Sequence, residues 1–188
     1  MAKKPATSAR AAKRNASAKS NAGSESNGGP QASRPYVPGY GIPTEAKGML
    51  PWSFAEERLA KAMNYWVCTT TPDGKPHARP VWALWFEGVL CFGGHGVRWD
   101  KNLFANPNVS VHLESGDEVV ILEGAVERFD DDKSSFARRS ADAAKKKYGM
   151  GGGGAFWTLR PRRAFGWTLK SQFKDATRWH FENPEKGK

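Results

Sequence analysis

Two cysteines in 188 residues, with no CxxC pair, leave neither a disulfide framework nor a zinc ribbon to read. The four histidines (His77, His95, His112, His180) never fall as HxH, HxxxH or HExxH, so no local metal motif is present. Gly-x-Ser-x-Gly is missing, which removes the serine-hydrolase elbow, and so is GKS or GKT, which removes a Walker loop. No apolar run approaches the roughly 20 residues of a membrane span, and no signal-peptide apolar region follows the basic start. A chain of this length can bury roughly 70% of its unfolded surface, so it needs no staple. These exclusions predict one intracellular domain.

Positive charge and tryptophan are what the sequence has in excess. The formal charge is +10, from 29 Lys and Arg against 19 Asp and Glu. Residues 1–34 hold seven bases and one acid, so +6 sits there and only +4 in the remainder. This segment is Ala, Ser, Lys, Asn and Gly without an aromatic residue. It lacks the apolar surface that would offset the entropy of ordering, and is predicted to be a disordered basic tail. Its composition also fits an organelle transit peptide, minus the amphipathic Leu or Phe face. A cytoplasmic location is the expectation, with organelle targeting as the alternative. Nucleic-acid binding would have to run through this tail, because a globular part at +4 without an RNA-binding aromatic motif attracts polyanions weakly.

Residues 35–52 are predicted as an irregular lead-in, 53–182 as the folded domain and 183–188 as a C-terminal tail. Ser53 and Glu56 fit a capping box opening a short helix to about residue 64. Residues 65–71 (YWVCTTT) are β-branched and aromatic, hence a strand. Pro72-Asp73-Gly74-Lys75 turns the chain into a strand over 77–86, and Glu87-Gly88 turns it again into 89–92. A short helix over 97–105 stops at Asn106-Pro107. Strands follow over 109–114 and 119–129, with Gly124 as an expected bulge. Residues 130–148 are predicted helical, with acids in the first turn and Lys145–Lys147 in the last. Residues 149–154 (GMGGGG) form a connector, and strands over 156–159, 164–170 and 176–181 close the domain. The sum is a mainly β, mostly antiparallel barrel with peripheral helices.

Two segments can carry chemistry. In GGHGVRWDKN, three glycines and His95 lead into a helix bearing Arg98, Lys101 and Asn102. Free amides at a helix start suit a phosphate, and Arg98 and Lys101, three apart, share a helix face. The bland reading is a glycine-rich turn whose basic residues face water. In His77-Ala78-Arg79-Pro80-Val81-Trp82, alternation places His77, Arg79 and Val81 on one strand face and Ala78, Pro80 and Trp82 on the other. Pro80 gives the ladder no donor and marks an edge or a place where pairing stops. Arg79 either reaches the same anion or is a surface ion-pair residue. Cys68 and Cys91 read as inert thiols. No dedicated general base stands out, so the catalytic residues stay unassigned and the hard chemistry would belong to a bound cofactor.

TPDGKPHARPVW, NLFANP, VSVHLE and VVILEGAVE, in this order over about residues 55–130, resemble the pyridoxamine 5′-phosphate oxidase-like family of flavin and deazaflavin oxidoreductases. That resemblance implies a six-stranded split barrel, dimeric, with FMN or the deazaflavin coenzyme bound across the subunit interface. It implies that Arg79, Arg98, Lys101 and Asn102 serve the cofactor phosphate, with His95 and Trp99 in the same loop and helix. Pro80, Val81 and Trp82 would line the flavin ring, and Trp179 would arrive from the partner chain. Two positions depart from the oxidase proper: Leu84 stands where that enzyme has Lys, and Trp99 where it has a basic residue. The expected function is hydride transfer between bound FMN and a small molecule. The alternatives are a deazaflavin-dependent reductase and a non-enzymatic flavin or haem carrier.

Overall fold

Strands rich in Val, Trp and Phe bury alternate side chains over most of their length, and that alternation sets the register of the barrel. The computed structural model describes residues 29–93, 98–149 and 154–182, the side chain of Arg98 excepted. Nine strands are placed: β1 (Gln31–Ser33), β2 (Asn64–Thr70), β3 (Pro76–Phe86), β4 (Val89–Gly93), β5 (Asn108–His112), β6 (Glu118–Phe129), β7 (Phe156–Leu159), β8 (Arg163–Thr168) and β9 (Thr177–His180). Three helices join them: α1 (Trp52–Lys61), α2 (Arg98–Ala105) and α3 (Ser135–Tyr148).

The barrel closes because two long strands change partners part-way. Residues 76–82 of β3 pair with β2, whereas 83–86 pair with β4. On β6, residues 118–123 pair with β8 and 126–129 with β7. The ring β2-β3-β4-β7-β6-β5 therefore shuts on six strands, all antiparallel, and β8, β9 and β1 extend from β6 as a flank. This is the expected split barrel.

Inside the ring lie Tyr65 and Val67 of β2, Val111 of β5, Val120 and Leu122 of β6, and Leu159 of β7, each at most 2% exposed. Ala55 and Leu59 bring α1 onto this core, and Trp99 and Leu103 bring α2. A second, smaller cluster of Leu84, Val89 and Cys91 packs under Phe136 and Ala143 of α3. Burial pushes the Cys91 thiol up to about 12, so it stays protonated and inert.

Four sequence expectations need correction. The tail read as disordered through residue 34 already contains β1, paired with β9. Arg34 fixes that segment by donating to the carbonyls of Glu45, Lys47, Lys174 and Ala176, at 2.6–2.9 Å. The capping box is not formed: Pro51 occupies the N-cap, with fixed φ, and Ser53 lies inside α1. Gly124 is no bulge, since it pairs with Val109 in unbroken register, between the Glu123–Ser110 and Ala125–Asn108 pairs. A Cβ there would come within 2.8 Å of Leu159 Cδ1 and 2.9 Å of the Arg160 carbonyl, so close approach demands the glycine. Finally, α3 starts at Ser135, capped by the Ser134 hydroxyl, with Asp130–Asp132 outside it. The connector 150–153, residues 1–28 and 183–188 lie outside the described residues.

The turn between β8 and β9 depends on one carboxylate. Asp175 accepts from the Thr168 N–H (3.0 Å), the Thr168 hydroxyl (2.6 Å) and the Ser171 hydroxyl (2.5 Å). These bonds hold a reversal in which Gln172 and Phe173 adopt φ of 53° and 65°. Partial burial pushes the Asp175 carboxyl up, but the Ser171 and Thr168 donors outweigh it, and the net direction is down from 3.8. Its stabilisation is therefore present above 3.8 and lost as pH falls through the lower folded value. Asp175→Asn should cost about 1–3 kcal/mol at pH 7. Urea unfolding at pH 7 and at pH 2.5 checks this: the gap between wild type and variant should narrow in acid.

Candidate functional site

Where β3 passes from β2 to β4, the barrel wall is open on one side. Residues 76–82 have a partner on one edge only. Pro80, which has no N–H to give, sits on that stretch, as an edge requires. Cross-strand partners face the same way. Arg79 lies opposite buried Val67, and Val81 opposite Tyr65, so both belong to the inner face. Pro80 and Trp82 lie opposite Trp66 and Asn64 on the outer face. Arg79 and Pro80 are exposed, and Trp82 is 54% exposed.

Helix α2 packs on the barrel core and against β2. Trp99, Asn102 and Leu103 face the barrel, whereas Lys101 and Phe104 face solvent. Asp100 accepts from the Trp157 indole N–H at 2.7 Å and lies 3.5 Å from the Arg128 guanidinium, which fixes the first turn. Asn102, 1% exposed, donates at 2.9 Å to the Thr69 hydroxyl. That hydroxyl is 3.3 Å from both His77 Nδ1 and the His77 carbonyl. Thus α2 is tied, through β2, to β3 two residues before Arg79.

The structure sorts the sequence-predicted residues into three groups. Arg79, Pro80, Val81 and Trp82 lie on the open stretch of β3, while Lys101 and Asn102 lie on α2, Asn102 against Thr69 and Lys101 toward solvent. Trp99 and Trp179 are core instead: they are 5% and 1% exposed, Trp99 against Phe92 and Trp179 against Trp52. His95, the glycine loop around it and the Arg98 side chain lie outside the described residues. Leu84 and Trp99, the two departures noted above, both fill apolar space.

Sequence reasoning missed a cluster at the strand switch. The Tyr148 hydroxyl donates to the Ala83 carbonyl at 2.6 Å, lies 2.9 Å from the Met63 carbonyl and accepts from the Ala83 N–H at 3.2 Å. Its ring stacks on Trp82, centroids 5.2 Å apart and planes 6° apart. Lys147 donates to the Tyr65 hydroxyl at 3.1 Å, and Tyr65 donates to the Leu59 carbonyl. Burial raises both phenol pKa values and lowers that of Lys147. No local pattern signals this cluster, because α3 reaches Ala83 from 65 residues away.

A family model described as pyridoxamine 5′-phosphate oxidase matches residues 54–168. The chain belongs to the pyridoxamine 5′-phosphate oxidase family. Solved structures share the fold. A conserved hypothetical protein from Mycobacterium tuberculosis is 19% identical, with 66% of this chain and 88% of that one covered and a TM-score of 0.56. A proposed 5-nitroimidazole antibiotic resistance protein from Bacteroides thetaiotaomicron is 15% identical, covering 69% and 84%, with a TM-score of 0.54. HupZ of Group A Streptococcus is 15% identical, covering 64% and 95%, with a TM-score of 0.50. No curated protein matches the chain in sequence. No described helix is long and apolar enough to cross a membrane.

Proposed function

We propose that this member of the pyridoxamine 5′-phosphate oxidase family is a flavin-type oxidoreductase, with the cofactor held at the open edge of β3. The observation that carries the reading is the presence of exposed Arg79 and exposed Trp82 on one stretch of β3 that pairs along a single edge and is tied through Thr69 to the helix that bears Lys101. A phosphorylated flat heterocycle needs both features, cations for its phosphate and an aromatic surface for its ring. Arg79 and Lys101 would hold the phosphate, and the family resemblance adds His95 and Arg98 to them. Pro80, Val81 and Trp82 would flank the ring. The bound flavin supplies hydride transfer, and the protein supplies binding, orientation and exclusion of water.

A second copy of the chain would complete the site. Across the outer face of the sheet, Pro80, Trp66, His112, Ile121 and Phe165 stand directly opposite one another in one row. Trp66 stacks on His112 with ring planes 3° apart. Such a continuous, largely apolar row is what a homodimer covers. Light scattering should give twice the 20.7 kDa chain mass; a monomer at micromolar concentration would remove the dimer.

One observation favours a second cofactor within the same reading. Leu84 and Trp99 are core residues, so two positions at which the oxidase proper carries cations offer none here. The deazaflavin coenzyme is the alternative that this leaves. Absorption and fluorescence titrations with FMN and with the deazaflavin, run in parallel, test both. Tight binding of one assigns the cofactor, and turnover with a reductant separates an oxidoreductase from a carrier. Binding of neither overturns the reading.

A further inference from the structure

We propose that Tyr148, the last residue of α3, sets Trp82 as a rigid stacking platform for the flat ring of the ligand. This rests on the cofactor reading above but adds residues from another part of the chain. An indole has two faces. Tyr148 covers one of them in a nearly parallel stack, 6° between planes, so the 54% exposure of Trp82 is left to the opposite face and the edge. An exposed tryptophan on an unpaired edge would ordinarily sample several rotamers, and a ligand would have to freeze it. Here that cost is met by the fold.

Tyr148 can hold its neighbour because it is itself held at three points. Its hydroxyl engages the Ala83 carbonyl, the Ala83 N–H and the Met63 carbonyl, so the ring is tethered to the residue that follows Trp82 in the chain. Lys147 adds a further tie. Its ammonium lies 5.4 Å from the Tyr148 ring centroid, 5.1 Å from that of Tyr65, and 3.4 Å from the Ala83 carbonyl. Gly149 then ends α3 in the left-handed conformation, with its N–H bonded to the Lys145 carbonyl, so the final turn does not fray. The joint of β3 and the end of α3 are thus one unit, and the ligand it suits is a planar conjugated ring with no need of charge.

The test uses riboflavin, which has the ring without a phosphate, together with FMN. Tyr148→Leu should weaken both by about tenfold, the scale of one aromatic stack plus lost rigidity. Adding Trp82→Ala to that variant should cost little more, because the platform is already lost. In the free protein, the near-ultraviolet circular dichroism assigned to Trp82, taken as wild type minus Trp82→Phe, should vanish in the Tyr148→Leu background. Tyr148→Phe keeps the ring and cuts the tether; it should retain the fold and lose part of both signals, which covers the case of Tyr148→Leu failing to fold. Wild type that binds riboflavin, with losses that are additive or absent in the Tyr148 variants, overturns the platform alone. Wild type that binds no flavin and no deazaflavin overturns the cofactor reading and the platform together.

Discussion

Trp179→Ala should lower the unfolding free energy by about 3–5 kcal/mol, the cost of emptying a large aromatic site that its surroundings cannot refill. Trp179 is 1% exposed and meets Trp52 edge-on at 5.3 Å, and Trp52 in turn meets Trp85 at 6.1 Å and Phe181 at 5.0 Å. The site is cut to fit from the other side as well. A Cβ on Gly166 would sit 2.8 Å from Trp179 Cη2 and 2.9 Å from Cζ3, so β8 carries glycine where the indole lies flat against its backbone. This expectation separates two roles for the residue. As a core residue, Trp179 leaves the flavin affinity of the folded fraction unchanged while the urea midpoint drops. As a contact reaching a partner's cofactor, it would lose affinity with the midpoint held. Gly166→Ala is the companion variant and should cost about 1–3 kcal/mol by overpacking the same notch.

The β2-β3-β4 meander is legible because its signals are local: alternation along each strand, then Gly74 at φ 83° and Glu87-Gly88 at 50° and 74° in the turns. Arg79, Pro80 and Trp82 follow from the same alternation, and the missing N–H of Pro80 announces the open edge. A tryptophan, by contrast, packs equally well in a core, an interface or a stacking site, so neither Trp99 nor Trp179 declares its place until the tertiary neighbours are known. β1 is hidden for a related reason. Gln31, Ala32 and Ser33 become a strand only because β9 lends them a ladder and Arg34 finds four carbonyls, two of them about 140 residues away. The Tyr148 joint has the same character. Its partners Met63 and Ala83 offer backbone atoms, and backbone atoms leave no mark in a sequence.

Arg79→Ala should weaken FMN binding by about 10- to 100-fold, the loss of a charge-assisted contact worth roughly 1.5–3 kcal/mol. The same change should alter riboflavin binding by less than about threefold, since riboflavin lacks the group that the guanidinium would pair with. An exposed arginine is ordinarily a surface ion-pair residue of little consequence. Three observations set this one apart. It lies on the inner face, opposite Val67, rather than on the outer face. Among the described residues it has no ion pair. It also lies two residues from His77, the point where the Asn102–Thr69 bond ties α2 to the strand. Arg79→Lys should recover only part of the affinity, because an ammonium keeps the charge but not the planar fork. Both wild-type and variant affinities should be read at low and high salt, where the gap between FMN and riboflavin should narrow as screening rises. Equal loss for the two flavins would assign Arg79 to the ring or to the fold. No loss for either would move the phosphate away from β3, leaving α2 and the segment before it to hold the phosphate alone.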